Sequence, residues 1–259
     1  MIDLHCHILP GIDDGPETLD ESIEMCRIAA ADGITTVVAT PHFRPGTYDC
    51  GDVGTHVADL QKEIDSRGIG LTLLAGADVS VTPELVYHVE ADRRLTINGT
   101  GRYVLAELPH EAVPSGWDRF LLSLRERGIT PVLTHPERNR WFLSNRDSLV
   151  PFVLSGGMVQ ITAMSLTGAV GNDVQDYCRS LLRRNLVHVI ASDAHSADKR
   201  PPVLSTAVNA AADIVGQAAA RCLVLDNPRA IIEGRAVDPP DPVMMPARKR
   251  SWFQKVLDM

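Results

Sequence analysis

Residues 2–16 read I-D-L-H-C-H-I-L-P-G-I-D-D-G-P, and this stretch says the most about the fold and its chemistry. It starts as an apolar strand over 2–6 and runs into a loop at its carboxyl end. Residues two apart on a strand point the same way, so His5 and His7 aim two imidazoles at one place while Cys6 faces the opposite side. The stretch therefore predicts a strand that ends in a pair of candidate ligands.

Short apolar segments alternate with helical patterns after this strand. The predicted strands are 2–6, 34–40, 71–75, 103–108, 129–134, 158–161 and 187–191, and the predicted helices are 19–31, 53–67, 117–127, 146–154, 174–184 and 203–215. Such alternation indicates a parallel sheet, and about seven units favour a distorted, seven-stranded TIM-like α/β barrel over an open doubly wound sheet. The sequence contains no glycine-rich nucleotide-binding motif that would support the open sheet.

The composition fits one large folded domain with a tail. Of 259 residues, 44% are hydrophobic and 22% are charged, which argues against disorder. We expect a domain over 1–237, then a proline-rich linker and a basic, aromatic tail over 238–259. The formal charge of −8 disfavours nucleic-acid binding. The five cysteines are scattered and indicate no disulfide framework, and without an apolar leader or membrane-length segment the protein is expected in the cytoplasm.

Other predicted strands also end in residues that bind metals. Asp193 and His195 repeat the spacing of two residues directly after the strand 187–191. Further strand ends and the first loop supply Asp14, His42, Asp78, Glu107 and His135. In a barrel, the carboxyl ends of the strands converge on one face, where active sites lie.

Imidazoles and carboxylates without thiolates suit Mn, Zn or Fe(II), and the number of carboxylates indicates a site for several ions. A single histidine is more often a surface or core residue than a ligand, and we interpret His56, His88 and His188 in that way. His110 is a candidate for the pocket lining. The joint pattern of the other positions favours a metal centre.

At these residues the chain resembles the polymerase and histidinol phosphatase (PHP) superfamily, and most closely the bacterial manganese-dependent protein-tyrosine phosphatases of capsule and exopolysaccharide loci. The matching segments are D-L-H-C-H-I-L-P-G-I-D-D-G-P at 3–16, T-P-H at 40–42, L-L-A-G-A-D-V at 73–79, A-E-L at 106–108, T-H-P-E-R at 134–138 and A-S-D-A-H at 191–195. They span most of the chain.

The resemblance implies a distorted barrel with a centre of two or three metal ions, most often Mn²⁺. By motif, His5, His7, Glu107 and Asp193 would hold one ion, and Glu107 would bridge to a second ion held by His135. The remaining ligands would be Asp14, His42, Asp78 and His195. The implied substrate is phosphotyrosine on a bacterial tyrosine kinase that controls polysaccharide export. Asp78 stands where the family commonly has glutamate. Its side chain is one methylene shorter, which bears on the occupancy of the third metal site.

The interpretation is phosphomonoester hydrolysis by metal-activated water. Arg138 and Arg200 follow the ligands His135 and His195 closely and are the expected phosphate clamps, because a guanidinium matches phosphate oxygens in pairs. A small-molecule phosphatase, such as one for histidinol phosphate, is the alternative within the fold, and a non-catalytic regulatory module is the alternative outside it. Cys178 and Arg184 have the spacing of cysteine-dependent phosphatases, but their stretch is leucine-rich and helical, so we reject that chemistry.

The tail over 248–257 combines a basic cluster with aromatic and aliphatic residues at roughly helical spacing. This pattern fits docking on a membrane surface or on the kinase substrate. It also fits packing on the protein's own domain or disorder, and the sequence does not choose between these.

Overall fold

A computed structural model describes residues 1–48, 51–109 and 113–244. The nine strands of this part are short, and all but β3 and β4 are buried for most of their length. They are β1 (Ile2–Cys6), β2 (Thr36–Ala39), β3 (His42–Phe43), β4 (Thr72–Ala75), β5 (Asp78–Ser80), β6 (Tyr103–Glu107), β7 (Thr130–Thr134), β8 (Met158–Thr162) and β9 (Val189–Ala191).

Every strand pairing is parallel. One sheet has the order β1-β2-β4 and the other has the order β3-β5-β6-β7-β8-β9. Directly after β9, the Asp193 amide donates to His5 O at 2.8 Å, and the His7 amide donates to Ala194 O at 2.9 Å. These bonds join the far edge of the larger sheet to β1, so the strands follow the order of a distorted α/β barrel. The fold class predicted from the sequence is confirmed.

Two of the seven predicted strands are each followed closely by a further short strand. The strand predicted over 34–40 is observed as β2, and the chain forms β3 directly after Pro41. The strand predicted over 71–75 is observed as β4, which Gly76 and Ala77 separate from β5. A Cβ at position 76 would lie 3.0 Å from Val38 Cγ1, tighter than an ordinary van der Waals contact, so glycine favours the close approach of this segment to β2. As a result, His42 and Asp78 lie in short strands of the site wall rather than in loops.

Eleven α-helices of the described chain pack around the strands. They are α1 (Leu19–Ala31), α2 (Val53–Ser66), α3 (Leu85–Ala91), α4 (Trp117–Leu122), α5 (Arg140–Ser144), α6 (Leu149–Leu154), α7 (Ala163–Thr167), α8 (Asn172–Arg183), α9 (Ser205–Val215), α10 (Gln217–Arg221) and α11 (Asn227–Ile232). The prediction for α1 is confirmed to the residue. The helix predicted over 146–154 is wrong at its start, because 146–148 form a turn and the helix begins at Leu149.

The inside of the barrel changes from apolar to polar along the strands. Along β6, Tyr103 and Leu105 belong to an inner apolar cluster, and Glu107 follows on the same face of the strand. On β8, Met158 belongs to the same cluster and Gln160 follows on its face. The amino end of the barrel is therefore filled with hydrocarbon, whereas the carboxyl end presents ligand-type side chains.

The linker predicted after 237 runs along the amino end of the barrel as far as Met244. Asn185 Nδ2 donates to Asp241 O at 3.0 Å, and the Val243 amide donates to Arg184 O at 2.9 Å. The predicted tail segment over 248–257, His110 and Cys50 lie outside the described residues. Cys6, Cys26, Cys178 and Cys222 are free thiols. No helix in the described ranges is long and apolar enough to cross a membrane.

Candidate metal centre

The carboxyl end of the barrel gathers all nine candidate ligands into one cluster, which is buried except at Asp14 and partly at His42. Their nitrogen and oxygen atoms form four overlapping groups, and within each group the atoms lie within 4.8 Å of one another. These groups are His7, Asp14, His42 and His195; His5, Asp78 and His135; His5, His7 and Asp193; and His42, Asp78 and Glu107. The barrel geometry thus brings together residues from separate strand ends, as the sequence predicted.

His5 and His7 form the inner part of the cluster. Their Nε2 atoms lie 3.1 Å apart, and Asp193 Oδ1 lies 3.5 Å from His5 Nε2 and 3.8 Å from His7 Nε2. Asp78 Oδ2 approaches His5 Nε2 to 3.6 Å from another direction. Two imidazole nitrogens and two carboxylates thus surround one small, fully buried space.

Outer hydrogen bonds determine which ring nitrogens face the cluster. His5 Nδ1 lies 3.0 Å from Gln160 Oε1, His7 Nδ1 lies 2.6 Å from Asp13 Oδ2, and His195 Nδ1 lies 3.0 Å from the Asp193 carbonyl. Each acceptor holds the ring proton on Nδ1, which leaves the lone pair of Nε2 pointing inward. Metal-binding histidines are commonly oriented in this way.

This arrangement fits a cation. The inward lone pairs of His5 Nε2 and His7 Nε2 face each other at 3.1 Å, which is repulsive unless a positive charge lies between or beside them. Imidazoles and carboxylates without a thiolate are a donor set suited to Mn, Fe or Zn. The cluster therefore has the ligand chemistry of a metal site.

The outer part of the cluster is more open. His42 Nδ1 lies 3.4 Å from Asp78 Oδ2 and 3.6 Å from Glu107 Oε2, and Glu107 Oε1 lies 3.7 Å from His135 Nε2. Asp14 Oδ1 approaches His42 Nε2 at 3.4 Å and His195 Nε2 at 3.3 Å. The side chain of Asp14 is 51% exposed, so this carboxylate lies at the mouth of the cluster.

The grouping around Glu107 differs from the one that the resemblance implies. In the structure, Glu107 shares a group with His42 and Asp78 and contacts His135, whereas His5 and His7 group with Asp193. Asp78 contacts both parts, since it lies near His5 and near His42. Asp78 therefore belongs to two of the four ligand groups, whereas Glu107 belongs to one.

Burial and neighbouring charges shift the pKa values of the residues in the cluster in opposite directions. Burial lowers the pKa of His7 and of His135 to about 4. Burial also favours the neutral ring of His42, but the carboxylates of Asp78, Glu107 and Asp14 outweigh it and raise the pKa of His42 to about 9. For Asp193, burial opposes ionisation, but the imidazoles of His5 and His135 and the Arg200 guanidinium hold its pKa well below the usual range. Metals bind neutral imidazoles and ionised carboxylates, so His7, His135 and Asp193 are in the binding form at pH 7, whereas His42 would lose a proton when a metal binds.

Two of these residues have left-handed backbone conformations, which residues other than glycine rarely adopt. His135 has φ 32° and ψ 50°, and Asp193 has φ 52°. The turn at Asp193 is supported by Ser192, whose amide donates to the buried Asp3 carboxylate at 3.0 Å and whose hydroxyl donates to the same carboxylate at 2.5 Å. Left-handed conformations at non-glycine residues cost free energy and cluster at functional sites.

Both predicted clamp arginines reach the cluster, where they contact the same carboxylate. Arg138 Nη1 donates to Asp193 Oδ2 at 2.5 Å, and Arg200 Nη2 donates to that oxygen at 2.7 Å and to the Asp193 carbonyl at 2.9 Å. Their side chains are 27% and 31% exposed, so part of each guanidinium faces solvent at the mouth. Asp193 therefore turns one oxygen to the imidazoles and the other to the arginines.

Sequence reasoning missed Asp13, which lies between the inner and outer parts. Its carboxylate accepts from His7 Nδ1 at 2.6 Å, from the His42 amide at 2.9 Å and from the Gly15 amide at 3.0 Å. A Cβ at Gly15 would come within 2.6 Å of the His7 carbonyl, so glycine is required for this loop to close over the cluster. The adjacent pair Asp13 and Asp14 was a signal, but it did not say which aspartate faces inward.

Sequence reasoning also missed Arg44 and Gln160. Arg44 Nη2 lies 3.7 Å from Glu107 Oε2, and Arg44 Nε donates to Ser80 Oγ at 3.1 Å, which places a third guanidinium at the mouth. Arg44 follows His42 by two residues, the spacing that identified the ligand pairs. Gln160 had no such signal, because a lone glutamine in a strand reads as an ordinary polar residue.

The rejected cysteine chemistry has no site in the structure. Cys178 is fully buried in the helix α8, and burial raises the pKa of its thiol well above the usual value. The paired arginine of that motif, Arg184, forms an ion pair with Asp147 at 2.8 Å. A buried thiol in a regular helix lacks the thiolate character of a nucleophile.

Comparisons with known proteins agree with this geometry. A family model described as capsular polysaccharide synthesis, CpsB/CapC, matches residues 1–233. The tyrosine-protein phosphatase YwqE of Bacillus subtilis is 37% identical over 202 residues, which cover 77% of this chain and 79% of YwqE. The tyrosine-protein phosphatase CpsB of Streptococcus pneumoniae is 30% identical over 246 residues, which cover 90% of this chain and 98% of CpsB.

A solved structure matches as well. It belongs to work on YwqE from Bacillus subtilis and CpsB from Streptococcus pneumoniae, described as metal-dependent tyrosine phosphatases. The TM-score is 0.88 at 32% identity, and the match covers 95% of this chain and 100% of that chain. The likeness thus extends over the whole barrel and not only over the ligand motifs.

Proposed function

The chain belongs to the capsular polysaccharide synthesis family CpsB/CapC, and from that premise we propose that it is a metal-dependent phosphatase that hydrolyses phosphotyrosine in proteins. The observation that carries the proposal is the cluster of nine imidazole and carboxylate ligands with guanidinium groups at its open side. A phosphomonoester needs both a site that activates water and cations that hold its oxygens.

In this proposal the nine residues of the cluster are the metal ligands: His5, His7, Asp14, His42, Asp78, Glu107, His135, Asp193 and His195. When bound, the ions would supply activated water and neutralise charge on the phosphate. Asp13 and Gln160 would keep the imidazoles of His7 and His5 in the tautomer that binds metal. Mn²⁺ is the ion we propose, with Fe or Zn as the ions to compare, because the ligand set accepts all three.

Arg138 and Arg200 would hold the phosphate oxygens from the mouth side. Both guanidiniums are fixed by Asp193 Oδ2, so they are held in place before a substrate arrives and retain exposed N–H groups. Fixed donors cost little reorganisation when charge develops on the transferred group. The phenolate of tyrosine leaves readily, so the proposal assigns no separate general acid.

The proposed substrate is a phosphorylated bacterial tyrosine kinase that controls capsular or exopolysaccharide synthesis. This step rests on the family to which the chain belongs and on the description of the relatives as tyrosine-protein phosphatases. We further propose that the chain acts in the cytoplasm and binds the kinase or the membrane surface through its tail segment over 248–257. The division into a catalytic domain over 1–237 and a linker with tail over 238–259 belongs to the same proposal.

The test is phosphate release from a phosphotyrosine peptide by chelated protein, before and after addition of Mn²⁺. We expect release only with metal, and we expect Asp193→Asn to remove it. A matched surface variant, Asp213→Asn, changes an exposed aspartate on α9 and is expected to behave as the parent protein. Metal-bound protein that releases no phosphate from the peptide would contradict the proposal.

The same assay with histidinol phosphate examines the alternative within the fold. Turnover of histidinol phosphate far above that of the peptide would move the assignment to a small-molecule phosphatase. Protein that binds no metal and turns over neither substrate would favour a regulatory module without catalysis.

A further inference from the structure

A second cavity lies at the end of the barrel opposite the metal ligands. It has a volume of about 270 Å³ and is lined by residues at the amino ends of the strands, including Tyr103 of β6, Thr130 of β7 and Met158 of β8. The metal ligands lie at the carboxyl ends of the strands, so the thickness of the barrel separates the two places. Nothing in the proposed reaction uses this cavity.

Two guanidinium groups face this cavity. Arg102 directly precedes β6, and Arg125 lies in the turn of 3-10 helix after α4, where its Nη1 donates to Gly156 O at 2.6 Å. Neither arginine forms an ion pair with a carboxylate of the described chain, and no described aspartate or glutamate lines the cavity. In a protein with a net charge of −8, two arginines without an acidic partner are a local excess of positive charge.

A third donor comes from His188, whose side chain lines the same cavity and is 1% exposed. Its Nδ1 accepts a hydrogen bond from the Val159 amide at 3.1 Å, which requires Nδ1 to be unprotonated. Burial lowers the pKa of His188 to about 4, so the ring is neutral at pH 7 and carries its proton on Nε2. No hydrogen bond within the described ranges uses Nε2, so this N–H is available to a ligand in the cavity that His188 lines.

The linker closes the cavity from outside. Ala236, Val237 and Pro239 form one wall, and Tyr103 Oη fixes the start of this segment by donating to Arg235 O at 2.7 Å. Further along, Asn185 Nδ2 holds Asp241 O at 3.0 Å. The result is a partly enclosed space of about 270 Å³ with its polar side-chain groups biased towards donors.

We propose that this cavity is a binding site for a small phosphorylated anion, distinct from the catalytic site. Two guanidiniums and one imidazole line the same cavity, and a guanidinium pairs with phosphate oxygens through two N–H groups. The volume accommodates inorganic phosphate or a small phosphomonoester and is smaller than the usual site for a drug-sized ligand. The site is independent of the proposed phosphatase reaction, because it shares no residue with the metal cluster.

The experiment is calorimetric titration of the metal-loaded protein with inorganic phosphate. We expect two binding events, one at the metal cluster and one in the cavity. Arg102→Gln is expected to weaken the cavity event at least tenfold while turnover of p-nitrophenyl phosphate stays within twofold of the parent protein. Arg138→Gln is expected to do the reverse, and Arg119→Gln, an exposed arginine on α4, is expected to change neither event.

Arg125→Gln and His188→Asn extend the test, and Arg102→Gln keeps it valid if Arg125→Gln disturbs folding through the lost bond to Gly156. His188→Asn keeps an acceptor for the Val159 amide but loses the donor on Nε2, so it should also weaken the cavity event. A single phosphate event that Arg138→Gln abolishes and Arg102→Gln leaves unchanged would overturn the proposal.

Discussion

Asp193 connects the two kinds of chemistry at the metal centre. Its Oδ1 lies 3.5 Å from His5 Nε2, whereas its Oδ2 accepts from Arg138 and Arg200. A carboxylate divided in this way couples the position of the arginines to the position of the ligands. Loss of an arginine should therefore act on phosphate binding, whereas loss of an outer hydrogen bond to a histidine should act on metal affinity.

Arg138→Ala should lower kcat for a phosphotyrosine peptide by about 100-fold, because a fixed donor to the transferred group is removed. Arg138→Lys should recover only part of the activity, since an ammonium group cannot reproduce the two-pronged guanidinium contact. Steady-state kinetics at saturating Mn²⁺ measure both variants. Arg140→Ala, two residues further on and exposed, is the matched control. Parent-like kcat in Arg138→Ala would remove this arginine from the mechanism.

Asp13→Asn should weaken Mn²⁺ binding by about 10- to 100-fold, because the charged acceptor of the His7 Nδ1 proton is lost. The measurement is the Mn²⁺ concentration that gives half-maximal activity of chelated protein. Asp20→Asn, on the exposed face of α1, should leave that concentration unchanged. If Asp13→Asn also left it unchanged, the aspartate would have no part in orienting the imidazole.

His188 makes stability depend on pH. Burial lowers the pKa of His188 to about 4 in the folded protein, against an ordinary value of 6.5. Between these values the unfolded chain binds more protons than the folded one, so the free energy of unfolding rises with pH. The stabilisation that His188 contributes is lost as the pH falls from 6.5 towards 4. A shift of this size corresponds to about 3 kcal/mol.

His188→Asn should remove that part of the pH dependence, because asparagine keeps an acceptor for the Val159 amide and does not titrate. Urea unfolding at pH 7 and pH 5, in buffer without phosphate, compares the variant with the parent protein. His56→Asn, at an exposed position on α2, is the matched control and should keep the parent's slope. Equal slopes in His188→Asn and the parent would show that another group carries the effect.

The candidate ligands were predictable because most of them lie at or just after the carboxyl end of a predicted strand, and the topology of a parallel barrel brings strand ends together. The supporting residues were not predictable in the same way. Asp13 acts through a hydrogen bond whose partner depends on how the loop folds, and Gln160 acts from the strand next to the imidazole. Such contacts depend on packing across the barrel, which residue spacing in the sequence does not encode.

At the scale of elements, long segments with clear periodicity were predicted well and short ones were not. The helix α1 was found because Thr18 accepts from the Glu21 amide at its start and Gly33 follows its end with φ 83°. The helices α5, α7 and α10 have five residues each, too few to show a hydrophobic period. The strands β3 and β5 were missed for the same reason.

The helix α9 depends on a cap from a distant element. The carboxylate of Asp32, at the end of α1, accepts from the Leu204 amide at 2.7 Å, from the Ser205 amide at 2.9 Å and from the Ser205 hydroxyl. It satisfies amides at the start of a helix whose own preceding residue, Leu204, cannot do so. The end of one helix and the start of another are therefore joined by one side chain.

Asp32→Ala should lower the free energy of unfolding by about 1 to 2 kcal/mol, the usual cost of losing a helix cap. Asp32→Asn should cost less, because its amide oxygen still accepts. Urea denaturation at pH 7 gives both values, and Asp213→Ala on the exposed face of α9 should stay within about 0.5 kcal/mol of the parent protein. No difference between Asp32→Ala and Asp213→Ala would exclude the cap.

At the scale of the whole molecule, metal binding should stabilise the barrel. The cluster draws ligands from β1, β3, β5 and β6 and from the turns after β7 and β9, so an ion bound there links both sheets. The unfolded chain has no such preformed site, so binding favours the folded state. Close approach of four carboxylates in one buried cluster also costs free energy that a cation offsets.

Mn²⁺ at about 100 times its Kd should add about 2.7 kcal/mol, which for a domain of this size raises Tm by about 5 to 10 °C. Differential scanning fluorimetry of chelated and Mn²⁺-loaded protein measures the shift. His195→Gln should reduce the shift, and the exposed variant His56→Gln should retain it. An identical shift in His195→Gln and the parent would place the stabilising ion elsewhere.

The path of the linker determines how the molecule can be held. Residues 238–244 run along the amino end of the strands, held by contacts such as that between Val243 and Arg184, while the mouth of the metal cluster opens at the other end. A bead, a fusion partner or a large assembly attached at the end of this linker would therefore start from the face of the barrel opposite the metal cluster. The mouth of the metal cluster would stay open to solvent, and a bulky polypeptide could approach it without passing the point of attachment.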